Sequence, residues 1–185
     1  MSDWELVTQA RQGKMDAFAE LVRRYQAPVM QFTFRMVGSA EDAEEIAQDS
    51  FIRVYRHLER LEPKAKFSTF LFGVARNLAL NFLRDAKREG RQVTQSLEAS
   101  APIGSDAGRP DRTARLREME SAIERGLQLL SAEHREVLVL RELNGLDYES
   151  IAQVCECKKG TVRSRLARAR NQLRQHMAGD IGDLV

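Results

Sequence analysis

The chain has 185 residues, 43% of them hydrophobic and 30% charged, with a formal net charge of +2. That length suits one or two small domains with a real apolar core. No apolar run approaches the roughly 18 residues a membrane span requires, so no direct membrane insertion is expected.

The opening residues, MSDWELVTQARQG, lack the apolar centre of a signal peptide. They predict a short helix capped by Asp3, with Leu6, Val7 and Ala10 inward and Gly13 at its end. A second helix is expected from Asp16, placing Phe18, Leu21, Val22 and Tyr25 on one side. Pro28 is expected to begin a third, over residues 29–37, closed by Gly38. Ser39 then stands three residues before Asp42, the spacing of a capping box. The helix it opens runs to Leu58 and buries Ala43, Ile46, Ala47, Phe51 (or Ser50), Val54 and Leu58. Asp42, Glu45, Gln48 and Asp49 are left on a polar side, in a stretch from 41 to 49 that carries no cation. Acids early in a helix suit its dipole. The other reading is a docking face for a basic partner.

Pro63 breaks the chain between residues 60 and 66, and a long helix is expected from Phe67 to about Lys87, capped by Ser68 or Thr69. Phe67, Phe70, Phe72 and Phe82 are interleaved there with Lys64, Lys66, Arg76, Arg84, Lys87 and Arg88. Rings that stack on bases, set among cations that meet phosphates, are what single-stranded DNA binding needs. Phe72 and Phe82 read as core. Residues 91–117 are rich in Ser, Ala, Gly and Pro without periodicity, which predicts a flexible linker.

Beyond it an amphipathic helix places Met119, Ala122, Ile123, Leu127 and Leu130 inward. From Ser131 the pattern is a helix–turn–helix. The apolar run Val137, Leu138, Leu140, Leu143 stops at Asn144-Gly145, and Asp147 caps a short helix with Ile151, Ala152 and Val154. A tight segment, Cys155-Glu156-Cys157, leads into a last helix whose stripe Val162, Leu166, Ala169, Leu173 packs inward. Residues 158–174 hold seven cations and no acid: Lys158, Lys159, Arg163, Arg165, Arg168, Arg170 and Arg174. The outer face carries Gly160, Thr161, Arg163, Ser164, Ala167, Arg168 and Asn171. Small residues admit the backbone to a major groove and arginine reads guanine in bidentate fashion. A solvated basic face is the alternative reading.

There are no repeats and no strand-like alternation. The expected fold is all-α: an N-terminal helical domain over 1–90, a linker over 91–117, and a C-terminal helix–turn–helix domain over 118–178. Cys155 and Cys157 with His176 supply too few ligands for zinc, which takes about four. The two cysteines read as buried hydrophobes of a reducing, cytoplasmic protein. His57, His134 and His176 are scattered, and no glycine-rich phosphate loop occurs. No metal, cofactor, small-molecule substrate or enzymatic activity is expected.

Three blocks carry a resemblance: DAEEIAQDSFIRVYRHL at 42–58, FSTFLFGVARNLALNFLR at 67–84, and LRELNGLDYESIAQVCECKKGTVRSRLARAR at 140–170. In this order, around a variable linker, they resemble the extracytoplasmic-function sigma factors of bacteria. The resemblance implies core RNA polymerase and promoter DNA as partners, and an anti-sigma factor, often membrane-anchored. It implies polymerase contacts at Asp42, Glu45, Gln48 and Asp49. It implies −10 contacts at Lys64, Lys66, Phe67, Arg76, Asn77 and Asn81, with loop 61–67 holding a flipped base. It implies −35 contacts at Lys159, Thr161, Arg163, Ser164, Ala167 and Arg168. The linker would occupy the polymerase active-site cleft and RNA exit path. A regulator that binds duplex DNA alone shares the C-terminal pattern, but leaves the acidic helix and the Phe67 block unexplained.

Overall fold

The structure, a computed structural model, describes residues 1–90 and 110–182, with side chains of the second stretch described over 116–178. Most of the expected linker, 91–109, lies outside the described residues. The described residues are helical, without a strand: α1 (Asp3–Arg11), α2 (Met15–Val37), α3 (Ala40–Arg56), a 3₁₀ turn (Leu58–Arg60), α4 (Phe67–Arg88), α5 (Pro110–Gln128), α6 (Ala132–Leu138) with a π-helical turn (Val139–Leu143), α7 (Tyr148–Val154) and α8 (Lys159–Gly182).

Several boundaries differ from those the sequence predicts. The cap of α1 is Ser2, not Asp3: the Ser2 hydroxyl accepts from the Glu5 N–H, and the Glu5 carboxylate accepts from the Ser2 N–H. Asp3 is thereby free to accept from Tyr25 and Arg24 of α2. The two helices expected on either side of Pro28 are one, α2. A proline forfeits one intrahelical hydrogen bond, whereas Leu21, Val29, Phe32 and Met36 along the same helix are completely buried. Burial on both sides of the proline outweighs a loss of about 3 kcal/mol. Neither Ser68 nor Thr69 caps α4; Lys66 stands at its N-cap without a side-chain bond, because burial of the Phe67 ring draws the helix start forward. Helix α5 begins at Pro110, inside the expected linker, since proline's fixed φ suits a first helical turn.

The π turn changes the register of the apolar run. One extra residue per turn rotates Val139 fully inward and leaves Leu143 43% exposed, although its spacing in the sequence predicts an inward position. Met119 is likewise exposed rather than packed.

Helices α1 to α4 pack around α2, with Phe32 and Phe72 edge-to-face at 5.6 Å. Helices α5 to α8 form a second helical domain around Leu127, Leu140, Ile151 and Leu166. The two domains touch where α7 meets α4 and where α5 and α6 meet α2. Gly38 closes α2 at φ +79°, and a Cβ there would stand 3.3 Å from Gln128 Cδ, so both the left-handed turn and the close approach require glycine. Arg135 binds this junction. Its guanidinium donates to the carbonyls of Leu127 (2.9 Å), Gln128 (2.9 Å) and Leu130 (3.0 Å), and to that of Met36 at the end of α2. Burial lowers its pKa to about 10, which leaves it charged at neutral pH.

Candidate nucleic-acid interface

The helix–turn–helix is built locally. Asp147 accepts from the Ser150 N–H at 2.7 Å and caps α7. The turn closes through Cys157 N–H on the Ala152 carbonyl at 3.0 Å, with Glu156 left-handed at φ 51°. Val162, Leu166 and Ala169 are buried, so α8 is seated on the domain by its apolar stripe. Cys155 is buried beside Glu136. Burial, then the nearby carboxylate, pushes its thiol well above the ordinary range and keeps it protonated. Among the described residues no three His, Cys, Asp or Glu side chains are grouped as metal ligands.

The seven cations of α8 and its lead-in residue are not equivalent. Arg165 turns to Glu133 (3.0 Å) and Glu136 (3.5 Å), and Arg170 to Glu142. Lys159 lies 3.4 Å from Glu149, both exposed. Lys158, Arg163, Arg168 and Arg174 are exposed and form no ion pair among the described residues. Arg163, Ser164, Ala167 and Arg168 therefore share an open face, with Thr161 half-buried at its edge, its carbonyl accepting from the Ser164 hydroxyl. No heavy atom approaches the face at Gly160. The arrangement leaves two arginines, a hydroxyl and small residues outward on a rigid helix, which is the form of a groove reader.

On α3, Asp42 is half-buried while Glu45, Gln48 and Asp49 are exposed. The three acids form no ion pair among the described residues, and Gln48 donates to Glu44 at 3.2 Å. Ala43, Ile46, Ala47, Ser50, Phe51 and Val54 are buried beneath them. The result is an unneutralised acidic face on a fixed helix.

The loop before α4 is different again. With the first residues of α4 and parts of α1 and α2 it encloses a cleft of about 340 Å³ lined by Asp3, Trp4, Tyr25, Lys64, Lys66, Phe67 and Ser68, among others. Phe67 is 1% exposed and packs against Tyr25 at 5.6 Å, so it forms a wall and not an open platform. Burial, then the Asp3 carboxylate, pushes the Tyr25 phenol well above its ordinary range. Asn77 and Asn81 are exposed on α4, and Asn81 accepts from Arg84 at 3.1 Å. Lys64 pairs with Glu62.

Two residues on this side are held by the other domain. Arg76 donates to both oxygens of Glu136, at 2.7 and 3.2 Å. Glu136 is completely buried, so this is a closed bidentate pair with Arg165 behind it. Lys66 donates to Asp147 at 2.6 Å on the exposed rim. Lys66 and the Ser150 N–H hold the Asp147 carboxyl well below the ordinary aspartate value of 3.8. A depressed carboxylate stabilises the form that holds its partner at pH above the ordinary value, and the contribution is lost as pH falls below it. Energy transfer between dyes on α3 and α8 is therefore expected to drop below about pH 4. Asp147→Asn, which keeps the cap, is expected to remove the component of that drop due to this contact.

Comparison with known proteins bears on these surfaces. Sigma-70 region 2 matches residues 21–89, and Sigma-70 region 4 matches residues 120–173. The chain is 35% identical to the RNA polymerase sigma-H factor of Pseudomonas aeruginosa, over 92% of this chain and 91% of that protein. It is 31% identical to the ECF sigma factor SigW of Bacillus subtilis, over 92% and 94%. Among solved structures, CnrH in complex with the cytosolic domain of CnrY superposes with a TM-score of 0.70 at 25% identity, over 97% of this chain and 99% of that one. The sigma factor RpoE of Bartonella quintana, solved with the anti-sigma factor NepR, gives 0.65 at 25% identity, over 87% and 96%. Helical architecture, paired regions and full-length likeness together make this chain a member of the extracytoplasmic-function sigma factor family.

Proposed function

We propose that the chain is the dissociable promoter-specificity subunit of a bacterial RNA polymerase. It guides core enzyme to its start sites, works in the cytoplasm, and catalyses no reaction itself. In this reading residues 1–90 dock on core and open the −10 element, the expected linker up to the start of α5 tethers, and the domain of α5 to α8 reads the −35 element. The observation that carries it is the separation of uncompensated charge: acids on α3 and cations on α8, each on a helix whose opposite side is buried. An acidic face fits a basic surface of the polymerase, and a cationic one fits DNA.

Asp42, Glu45, Gln48 and Asp49 are assigned to polymerase. Lys64, Lys66, Phe67, Arg76, Asn77 and Asn81 are assigned to the −10 element, and the cleft beside Phe67 to an extruded base. Lys159, Thr161, Arg163, Ser164, Ala167 and Arg168 are assigned to the −35 element. An anti-sigma factor is the expected inhibitor. An apolar cleft of about 400 Å³ lined by Leu127, Leu138, Leu143, Leu173 and Met177 supports a protein partner on the C-terminal domain.

Run-off transcription with purified core polymerase tests the reading: a chain-dependent transcript from defined start sites is expected, and none would refute it. Asp49→Lys reverses a charge on the α3 face and is expected to weaken core binding on the order of tenfold, read by competition with another sigma factor for core. Competition equal to the unaltered chain would remove α3 from the docking surface.

A further inference from the structure

In the segment from Leu58 to Lys66, a 3₁₀ turn followed by the loop that forms the cleft, three carbonyls are held by one helix. Trp4 Nε1 donates to the Ala65 carbonyl at 3.0 Å. Arg11, at the other end of α1, donates through Nε to the Leu58 carbonyl at 2.9 Å and through Nη2 to the Leu61 carbonyl. These bonds reach across 47 to 61 residues of sequence, so they are tertiary clamps and not local turns.

The helix that makes them is itself anchored. Its start is fixed by the Ser2–Glu5 box, and Asp3 accepts from Arg24 at 3.0 Å and from Tyr25 at 2.5 Å on α2. Leu6, Val7 and Ala10 are buried. The Trp4 ring also meets Phe70 of α4 at 5.9 Å, nearly perpendicular to it, so the ring that carries this N–H is packed against a second helix.

We propose that α1 is the splint of the base-holding cleft, with Trp4 and Arg11 as positioning residues that keep residues 58–66 in the shape that receives an extruded base. The inference rests on assigning the cleft to a nucleobase. Preorganisation is where a site of this kind gains affinity: a loop already ordered loses no further freedom when the base enters. Arg11 stands outside the cleft lining and acts through the loop backbone alone, whereas Trp4 both lines the cleft and holds the loop, so Arg11 is the clean test of positioning.

The test uses holoenzyme, the full chain with core polymerase, on promoter fragments already opened at the −10 element. Each non-template base of that element is replaced in turn by an abasic residue, and the ratio of affinities for intact and abasic DNA is measured. The unaltered chain is expected to prefer the intact base at one position by about five- to a hundredfold, the contribution of one stacked base. Trp4→Phe keeps a ring and removes the donor. It is expected to reduce that preference about fivefold, the size of one hydrogen bond, with core competition and −35 duplex binding unchanged. Arg11→Met, which removes two hydrogen bonds, is expected to reduce it at least as much, and Arg11→Lys, which keeps a donor without the planar fork, to recover part of the preference.

If the unaltered chain prefers the base and Trp4→Phe and Arg11→Met keep the full preference, the splint is overturned while the base cleft stands. If the unaltered chain shows no preference at any position, the cleft assignment fails and the inference with it. Equal losses of core binding and −35 binding in the variants mark general loosening and also overturn the positioning role.

Discussion

Replacing Arg135 with alanine is expected to cost about 3–5 kcal/mol of stability, a loss in the range of breaking a buried charge network. The side chain is 7% exposed and its guanidinium supplies four carbonyls. Three of them belong to the end of α5 and the residues after it, and one to the end of α2, where helix carbonyls have no intrahelical donor. The cation also stands at the negative ends of two dipoles. Alanine leaves those carbonyls in a space water fills poorly, and removes the stem that fills it. Lysine offers a point charge without the planar fork and is expected to recover only part of the loss. Chemical denaturation of the full chain reads both. A change under about 1 kcal/mol for alanine would mean that water replaces the guanidinium.

The second large effect is expected at Arg168. If α8 reads the −35 element, Arg168→Ala in holoenzyme should cost about 1–3 kcal/mol of promoter discrimination, or roughly five- to 150-fold. Arg170→Ala provides the comparison, since that side chain is already held by Glu142 at 2.5 Å. Its loss is expected to weaken binding less and without sequence preference, as a distant phosphate contact would. Equal effects at the two positions, on transcription from promoters that need the −35 element, would show that α8 does not lie in the groove as assigned.

Helical period alone places Arg168, and not Arg165 or Arg170, on the outer face, but it does not say what holds the other two. Seven cations between residues 158 and 174 form an unbroken basic run. The fold adds that Glu133 and Glu136 hold Arg165 and that Glu142 holds Arg170. The stripes on α3 and α8 are legible because period and polarity coincide there: Ala43, Ile46 and Val54, and Val162, Leu166 and Ala169, are all buried. Asp147 and Ser39 are legible as caps because a cap is a local matter.

The features that sequence hides share a physical cause. Arg135 and Glu136 sit side by side ahead of an apolar run, and nothing local says that both are buried, because their partners lie on other elements. The π turn breaks the period on which the placement of Leu143 depends. Pro28 resembles a boundary as long as its local cost is weighed without the tertiary burial that overrides it. Trp4 and Arg11 carry no signal because their acceptors are backbone carbonyls, which leave no trace in sequence.

A guanidinium has one set of donors. While Arg76 grips Glu136 it has little left for a phosphate, and while Lys66 grips Asp147 the rim of the cleft is neutralised. Under the assignment of both to the −10 element, every molecule that engages DNA there has first surrendered these contacts. Observed affinity is then the intrinsic affinity scaled by the fraction of molecules already ajar; one in about a hundred weakens it about a hundredfold. Whatever prises the halves apart restores that factor without adding a single contact to DNA.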